Sequence, residues 1–148
     1  MIISIGCDHG GYPVKDNIVK LLTNYGCKVL DFGTDSADSV DYPDFAVKVC
    51  ESIVSKKAER GILICGTGIG MSIAANKFKG IRAAVVFDEF TAKACREHNN
   101  ANVLCLGARV TDIGKMSKLV KIWLETDFEG DRHIKRLNKI TEIENREL

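Results

Sequence analysis

The chain has 148 residues, of which 45% are hydrophobic and 28% charged, and its formal net charge is +1 at pH 7. This size and composition are typical of one globular domain, and the small net charge excludes a general attraction to nucleic acid or membrane lipid. No apolar run approaches the ~20 residues of a membrane span, and the N-terminal segment lacks the basic region and cleavage site of a signal peptide. We therefore expect a single cytosolic domain over residues 1–148 that binds neither nucleic acid nor membrane.

Five short apolar runs without polar alternation predict the strands of the fold. In chain order they are Ile2–Gly6, Lys28–Phe32, Gly61–Cys65, Arg82–Phe87 and Asn102–Leu106. Helical patterns fill the intervals, and this alternation predicts a parallel α/β sheet with helices on both faces. Strands covered on both faces are expected to be buried throughout.

Apolar residues at helical spacing predict the helices. Pro13 opens and Gly26 closes the first helix, whose apolar face runs from Val14 to Tyr25. Two further apolar faces consist of Phe45, Val49 and Ile53, and of Ile113, Met116, Val120 and Trp123.

The C-terminal segment predicts a linker, Asp127–Asp131, followed by a last helix, His133–Leu148. The apolar stripe of this helix consists of Ile134, Leu137, Ile140 and Ile143. We expect the stripe to pack either on the chain's own sheet or on a partner subunit.

The six cysteines are spread along the chain without a C-x-x-C pair, at Cys7, Cys27, Cys50, Cys65, Cys95 and Cys105. Most stand in apolar runs, where a free cysteine behaves as a small hydrophobic residue. This pattern favours free thiols over disulfides or a structural zinc site, and no metal is expected.

Ligands of open parallel sheets bind at the carboxyl ends of the strands, so the segments that follow strands form one set. The set comprises Cys7–Gly11, Cys65–Gly70, Phe87–Glu89 and Gly107–Arg109, with Arg96–Asn100 at the end of the helix after the fourth strand. We expect these segments, and with them two of the three histidines, to converge on one edge of the sheet.

The stretch CGTGIG, residues 65–70, places three alternating glycines between a strand and a helix. Gly66 and Gly68 fit the dinucleotide fingerprint and Asp88 is suitably placed for it, but Met71 occupies the third glycine position. A P-loop is excluded because no Gly-Lys-Ser/Thr follows. The uncovered backbone N–H groups favour an anion-binding loop for a phosphate, a carboxylate or a forming oxyanion. The alternative is a tight turn that needs glycine only for steric reasons.

Several side chains near these segments suit acid–base chemistry on a small polar substrate. Cys65 is interpreted either as a core cysteine or as a base, since a thiol near a helix N-terminus ionises readily. His98 and Asn99 are either a helix cap or part of the acid–base set. Asp8 and His9 are either turn and helix-start residues or members of the same set.

Basic residues near the C-terminus suggest a phosphate site. Arg132 and Arg136 stand four residues apart and share one helix face, where two guanidinium groups fit a phosphate. The alternative is a solvated helix face. Arg109, after the fifth strand, is a candidate third member.

Much of the chain resembles the ribose/galactose isomerase family, which contains ribose-, allose- and galactose-phosphate isomerases. The matching stretches are GCDHGGYPVK, VLDFGT, DYPDFA, GILICGTGIGMSIAANKFKGIRAAV, EHNNANVLCLGARV, FEGDRHIKRL and ITEIE. The resemblance implies a three-layer α/β/α sandwich on a five-stranded parallel, Rossmann-like sheet, assembled as a homodimer or dimer of dimers with active sites at the subunit interface. It also implies interconversion of a phosphorylated pentose, D-ribose 5-phosphate, and D-ribulose 5-phosphate without metal or cofactor.

The resemblance further implies a role for each candidate residue. Cys65 resembles the base that moves a proton between C2 and C1 of the sugar, and no glutamate stands near the loop to replace it. Thr67 and His98 resemble ring-opening groups. The enediolate anion hole would comprise Gly66, Gly68, Ile69 and Gly70. The sugar- or phosphate-positioning residues would be Asp8, His9 and Asn99, and the phosphate clamp would be Arg109, Arg132 and Arg136.

Two other functions stay open from the sequence. A hexose 6-phosphate such as allose 6-phosphate is one carbon longer, and one sequence does not identify the pocket wall that would exclude it. A galactose-type pair of different subunits is disfavoured because Cys65, Thr67 and His98 stand in one chain. A non-enzymatic sugar-phosphate- or nucleotide-binding module would keep the glycine loop and the arginines but have no use for Cys65 and His98.

Overall fold

The structure, a computed structural model, describes residues 1–146 as five strands alternating with six helices. The strands are β1 (Ile2–Cys7), β2 (Lys28–Asp31), β3 (Arg60–Cys65), β4 (Ala83–Val85) and β5 (Val103–Gly107). The helices are α1 (Tyr12–Asn24), α2 (Tyr42–Val54), α3 (Ile69–Ala75), α4 (Glu89–Glu97), α5 (Ile113–Glu125) and α6 (Arg132–Glu144). The predicted strand–helix alternation is confirmed.

All five strands are parallel, in the order β2-β1-β3-β5-β4. The central strands are buried, whereas β2 and β4 are half-exposed because each lies at an edge of the sheet. Burial throughout is therefore a wrong expectation for the two edge strands. Strand β4 is also shorter than the predicted Arg82–Phe87, since the Arg82 N–H donates to Asn102 Oδ1 (2.8 Å) and Phe87 is 41% exposed.

Side chains of the central strands alternate between two cores, one on each face of the sheet. Ile5, Ile64 and Leu106 pack with residues of α1, α4 and α5, whereas Leu63 and Cys105 pack with residues of α2 and α3. The predicted three-layer α/β/α architecture is confirmed. Within the first core, α5 carries Met116, Val120 and Trp123, all fully buried as their helical spacing predicts.

The first helix begins and ends where its signals predict. Pro13 lies in the first turn of α1, and Gly26 follows the helix with φ +80°, a conformation that suits glycine. Tyr25 is the exception on its predicted apolar face, because it is 41% exposed and its hydroxyl donates to Glu125.

The last helix is shorter than predicted and leaves most of its apolar stripe exposed. It ends at Glu144, and Asn145 and Arg146 are not helical. The predicted end at Leu148 lies outside the described residues. Three stripe residues are at least 40% exposed, namely Ile134, Ile140 and Ile143. Packing of the whole stripe on the chain's own sheet is therefore wrong.

The strand order creates a crevice between β1 and β3. Helix α1 leaves β1 toward one face of the sheet and α3 leaves β3 toward the other, so the carboxyl ends of these neighbours form a switch point where ligands bind. Within residues 1–146 we find no helical segment with the length and hydropathy of a membrane span.

Candidate active site

The first wall of the crevice is the turn after β1. Asp8 is 7% exposed, and its Oδ1 accepts the N–H groups of Gly10 (2.8 Å) and Gly11 (3.2 Å). This bears out the interpretation of Asp8 as a turn residue. The turn brings Gly10 against the opposite wall, where a Cβ on Gly10 would lie 2.9 Å from the backbone nitrogen of Gly66. The Asp8 turn therefore sets the spacing between the two walls.

The second wall is the segment 65–70, here termed the thiol loop. Cys65 is 5% exposed, and its Sγ accepts the N–H of Gly68 at 3.1 Å. Gly68 has φ +81°, which a side chain would strain. The loop folds back over the end of β5, where a Cβ on Gly107 would lie 2.7 Å from the backbone of Thr67. The Cys65 thiol is thus held by the loop of which Cys65 is the first residue.

The thiol loop offers free backbone donors to a ligand. The Gly68 N–H donates to Cys65 Sγ and the Ile69 N–H donates to Thr67 Oγ1, so these two members of the expected anion hole are already bonded within the loop. The N–H groups of Gly66, Thr67 and Gly70 donate to no acceptor within residues 1–146. Helix α3 has only seven residues, so the individual N–H groups, more than a helix dipole, make this loop suitable for an anion.

Arg109 adds positive charge to the thiol loop. Its N–H donates to the Gly66 carbonyl at 3.0 Å, and its Nη1 lies 3.2 Å from the position that a Cβ on Gly66 would occupy. The guanidinium group therefore lies over the loop, as a phosphate-binding residue would.

His9 and Tyr42 complete this side of the crevice. The Val40 N–H donates to His9 Nδ1 at 3.2 Å, so a neutral His9 carries its proton on Nε2. Two residues further on, the Tyr42 ring packs on Gly70, where a Cβ would lie 2.7 Å from the ring. Tyr42 is not among the residues predicted from the sequence, since the Tyr-Pro pair signals only the start of α2 and the contact depends on tertiary structure.

His98 and Asn99 lie at the opposite edge of the sheet from Cys65. Helix α4 runs antiparallel to the strands, so its end returns to their amino ends, where the Asn99 carbonyl accepts Arg82 Nε at 2.9 Å. The expectation that all the candidate segments share one edge is therefore wrong. The five residues of β5 separate the two edges by roughly 16 Å at 3.3 Å per residue.

His98 belongs to a second group of side chains, here termed the histidine cluster. Its ring stacks on His133 with centroids 4.5 Å apart and an interplanar angle of 17°. His133 is 4% exposed, and its Nε2 lies 3.3 Å from Glu129 Oε2. Arg132 Nε lies 3.5 Å from Nε2 of His133, and Arg136 Nη1 lies 3.4 Å from its Nδ1. The two arginines thus join His98 and not the thiol loop of the same chain.

The histidine cluster contains three possible metal ligands, and its geometry suits a metal ion poorly. One atom each of His98, Glu129 and His133 lies within 4.8 Å of the others. Nearly parallel rings direct their in-plane lone pairs along parallel planes and not toward one point. The guanidinium groups of Arg132 and Arg136 also repel a cation. The cluster is better suited to an anion.

Arg96 anchors the histidine cluster. It is 4% exposed and donates to the Ala101 carbonyl (2.7 Å), Asn100 Oδ1 (2.9 Å) and the Thr126 carbonyl (3.3 Å). Burial lowers the pKa of Arg96 to about 10, and the charge of Arg60 contributes. These bonds tie the end of α4 to the end of α5 and so fix the segments on which the cluster stands.

Two other polar residues near these segments have structural roles. Asp88 Oδ1 accepts the Thr91 N–H at 2.8 Å as the N-cap of α4, and this bond lowers the pKa of the Asp88 carboxyl. Its use as a cap removes the acidic residue that a dinucleotide site would need. Asn76 bonds both the N–H and the carbonyl of Ala83 at 2.9 Å and closes the exposed edge of β4.

A cavity of about 780 Å³ lies between β4 and α6. Asn99, Ile140 and Ile143 are among its lining residues, but the thiol loop is not. The reactive groups described above lie elsewhere, so we assign the chemistry to the crevice and the histidine cluster and not to this cavity.

All six cysteines are free thiols, and five of them, Cys65 included, are buried in the core. Burial raises the pKa of Cys7 and Cys95 to about 11 and that of Cys50 to about 12, and it raises the pKa of Cys105 well above its usual range. Cys27 is half-buried at the protein surface. The location of Cys65, next to free N–H groups, distinguishes it from the other five.

The fold and the crevice define a class of protein: a parallel α/β protein with a thiol and an anion-binding loop at the switch point of its sheet. The sequence model of the family described as Ribose/Galactose Isomerase matches residues 3–140. The chain belongs to this family.

Named relatives and solved structures match this chain over nearly its full length. Ribose-5-phosphate isomerase B of Escherichia coli is 45% identical over 144 residues, which are 97% of each chain. Ribose-5-phosphate isomerase B of Clostridium thermocellum superposes with a TM-score of 0.96 at 52% identity over 97% of both chains. Ribose-5-phosphate isomerase B of Mycoplasma genitalium, solved with bound ribulose-5-phosphate, superposes with a TM-score of 0.94 at 42% identity, covering 99% of this chain and 97% of that one. The predicted family and fold are confirmed.

Proposed function

We propose that the chain is an aldose–ketose isomerase that interconverts D-ribose 5-phosphate and D-ribulose 5-phosphate through an enediolate. The observation that carries the proposal is the Cys65 thiol, held at the switch point beside the free N–H groups of Gly66, Thr67 and Gly70. A relative named ribose-5-phosphate isomerase B shares this fold at 52% identity, which supports the choice of substrate.

The thiol loop would carry the proton transfer. The Cys65 thiolate removes the C2 proton of the open-chain aldose, a C1=C2 double bond forms, and the carbonyl electron pair moves to O1. A proton then passes from O2 to O1, and the thiol returns its proton to C1 as the C2 carbonyl forms, which gives the ketose. The Gly68 N–H stabilises the thiolate, and the free N–H groups of the loop receive the enediolate oxygen. With Cys65 5% exposed, the thiolate is shielded from bulk water, which strengthens both interactions.

The histidine cluster would open the sugar ring and bind the phosphate. His98, with Thr67, would exchange protons with the ring oxygens, while Arg132, Arg136 and Arg109 bind the phosphate. A five-carbon phosphosugar is shorter than the roughly 16 Å between the two edges of one sheet. We therefore propose that each active site combines the thiol loop of one chain with the histidine cluster of another.

A homodimer, or a dimer of dimers, would provide this arrangement with symmetric interfaces. The exposed Ile134, Ile140 and Ile143 of α6 support an interface, since exposed apolar surface of this kind is typical of association. Asp8, His9 and Asn99 would position the sugar or its phosphate, with Asp8 acting partly through its turn. Residues 1–148 would act as one domain, and the free thiols fit a cytosolic location.

A coupled assay tests the proposal. The wild type and its Cys65→Ala variant would be given ribose 5-phosphate in EDTA, with ribulose 5-phosphate followed over time. We expect turnover by the wild type and by Cys27→Ala, a control at a half-buried thiol, but none by Cys65→Ala. A folded wild type without turnover would overturn the pentose assignment, and allose 6-phosphate would be the next substrate assayed.

A further inference from the structure

His133 occupies the centre of the histidine cluster, yet it has little surface with which to touch a substrate. It is 4% exposed, and its ring is covered by the ring of His98, which is half-buried at the end of α4. A side chain so placed can act on a substrate only through its neighbours. Its neighbours are His98 on its face and Arg136 and Glu129 at its ring nitrogens.

The two ring nitrogens of His133 have different partners, which selects one tautomer. Nε2 lies 3.3 Å from Glu129 Oε2, an ion-pair distance at which the carboxylate attracts a proton on Nε2. Nδ1 then keeps its lone pair, which accepts from Arg136 Nη1 at 3.4 Å. Arg132 Nε also approaches Nε2, at 3.5 Å, and could donate to it only in the other tautomer, but the Glu129 carboxylate is the nearer of the two charged groups. The shorter contact therefore favours the proton on Nε2.

Each contact of His133 fixes a different functional group. The stack holds the His98 ring in one plane, which a flexible cap residue at a helix end would not otherwise keep. The Nδ1 contact restricts Arg136, a long side chain that loses rotamer entropy when it is ordered. One buried imidazole thus orders both an acid–base group and a phosphate-binding group before substrate arrives.

We propose that His133 is a positioning residue that couples the ring-opening imidazole of His98 to the phosphate clamp at Arg136. The inference rests on the proposed isomerase function. It assigns two parts of the His133 side chain to different steps. The ring face serves ring opening, and Nδ1 serves phosphate binding.

Two substitutions separate these roles. His133→Phe keeps an aromatic face for His98 but removes the acceptor for Arg136, so KM for ribose 5-phosphate should rise about tenfold while kcat stays within about twofold. His133→Asn offers an amide oxygen near the Nδ1 position but removes the stack, so kcat should fall about tenfold with KM nearly unchanged. Lys135→Ala, an exposed change on the same helix, is the control and should match the wild type.

Deuterium exchange separates ring opening from proton transfer. Ribulose 5-phosphate is an open-chain ketose, so exchange of its C1 hydrogen in D₂O requires Cys65 but no ring step. We expect the ratio of exchange to net isomerisation to rise in His133→Asn and to stay at the wild-type value in His133→Phe. Parallel losses in both variants, or wild-type behaviour in both, would overturn the positioning role.

A measurement on the wild type does not depend on the folding of a variant or on activity. Long-range ¹H–¹⁵N spectra at neutral pH should show His133 protonated on Nε2 and bare on Nδ1, and Arg136→Ala should shift the Nδ1 resonance. The opposite tautomer, or an imidazolium, overturns the coupling to Arg136. An inactive wild type with the expected tautomer would instead count against the proposed reaction.

Discussion

Gly10 and Gly66 meet backbone to backbone across the crevice, where a methyl group on Gly10 would lie 2.9 Å from the nitrogen of Gly66. The loops after β1 and β3 therefore approach as closely as two glycines allow. Since the Gly66 N–H is one of the free donors of the thiol loop, the geometry of the proposed anion hole depends on this contact.

Gly10→Ala should damage activity more than stability. The added methyl meets backbone, so the thiol loop must shift, and a shift of about 1 Å can cost about 100-fold in rate. We expect kcat/KM to fall at least tenfold while the melting temperature changes by a few degrees. The control is Gly114→Ala in α5, where the added methyl approaches only Asp112 Oδ1 at 3.2 Å. Equal activity in the two variants would show that the contact has no catalytic consequence.

The fold was largely predictable because its signals are local. Apolar runs marked all five strands, and Pro13 and Gly26 marked the bounds of α1. The thiol loop was also predictable, since Cys65 and its three glycines lie within six consecutive residues of the sequence.

The division of the site between two edges was not apparent from residue types. His98 follows a helix and not a strand, and the antiparallel direction of that helix carries it away from Cys65. The burial of His133 and its stack on His98 are tertiary facts. Their only local sign is the spacing of Glu129 and His133, four residues apart.

Alkylation should separate the six cysteines into three groups. A thiol with a pKa of about 11 is ionised to roughly one part in ten thousand at pH 7, so Cys7 and Cys95 should react very slowly, and Cys50 and Cys105 more slowly still. Cys27 is half-buried and should react without regard to ligand. Iodoacetamide should also modify Cys65, and inorganic phosphate or ribose 5-phosphate should protect it alone.

The extent of alkylation at each cysteine is measured by peptide mass analysis. Labelling of Cys65 no faster than that of Cys50 would contradict its assignment as the base. Equal protection of Cys27 by the ligand would indicate a general change in the protein and not occupancy of the crevice.

A shared active site predicts complementation between two inactive variants. Cys65→Ala and His98→Asn homodimers should both be inactive. A dimer with one chain of each kind would contain one complete site and one doubly defective site, so its rate should be about half that of the wild type. Purification through two different affinity tags isolates this species for assay. A Cys65→Ala/Cys65→Ser heterodimer is the control, and the same inactivity in the test pair would place each site within one chain.

The Asp88 cap should make the stability of α4 depend on pH. The Thr91 N–H holds the folded pKa of Asp88 below its unfolded value, so the stabilisation is present above about pH 4 and is lost as pH falls through the folded pKa. Asp88→Ala should lower Tm by about 2–4 °C at pH 7, as expected for a lost N-cap. The difference from the wild type should shrink below pH 4.

Thermal melts at several pH values provide the comparison. Asp38→Ala removes the same charge from an exposed carboxylate that has no hydrogen-bond partner in the described part of the chain. Its Tm should follow the wild type throughout. A constant Tm difference for Asp88→Ala across the pH range would exclude a cap that depends on ionisation.

The burial of Trp123 has a practical consequence for spectroscopy. It is the chain's single tryptophan, it is fully buried, and the Arg60 guanidinium lies 5.3 Å from its ring centroid at the amino edge of the sheet. Its fluorescence should therefore be blue-shifted in the native protein and should shift to longer wavelength when the α1–α4–α5 core opens. Because Trp123 is fully buried and does not line the crevice, its intrinsic emission offers a signal for the opening of this core, and one cuvette can report stability while turnover is followed by absorbance.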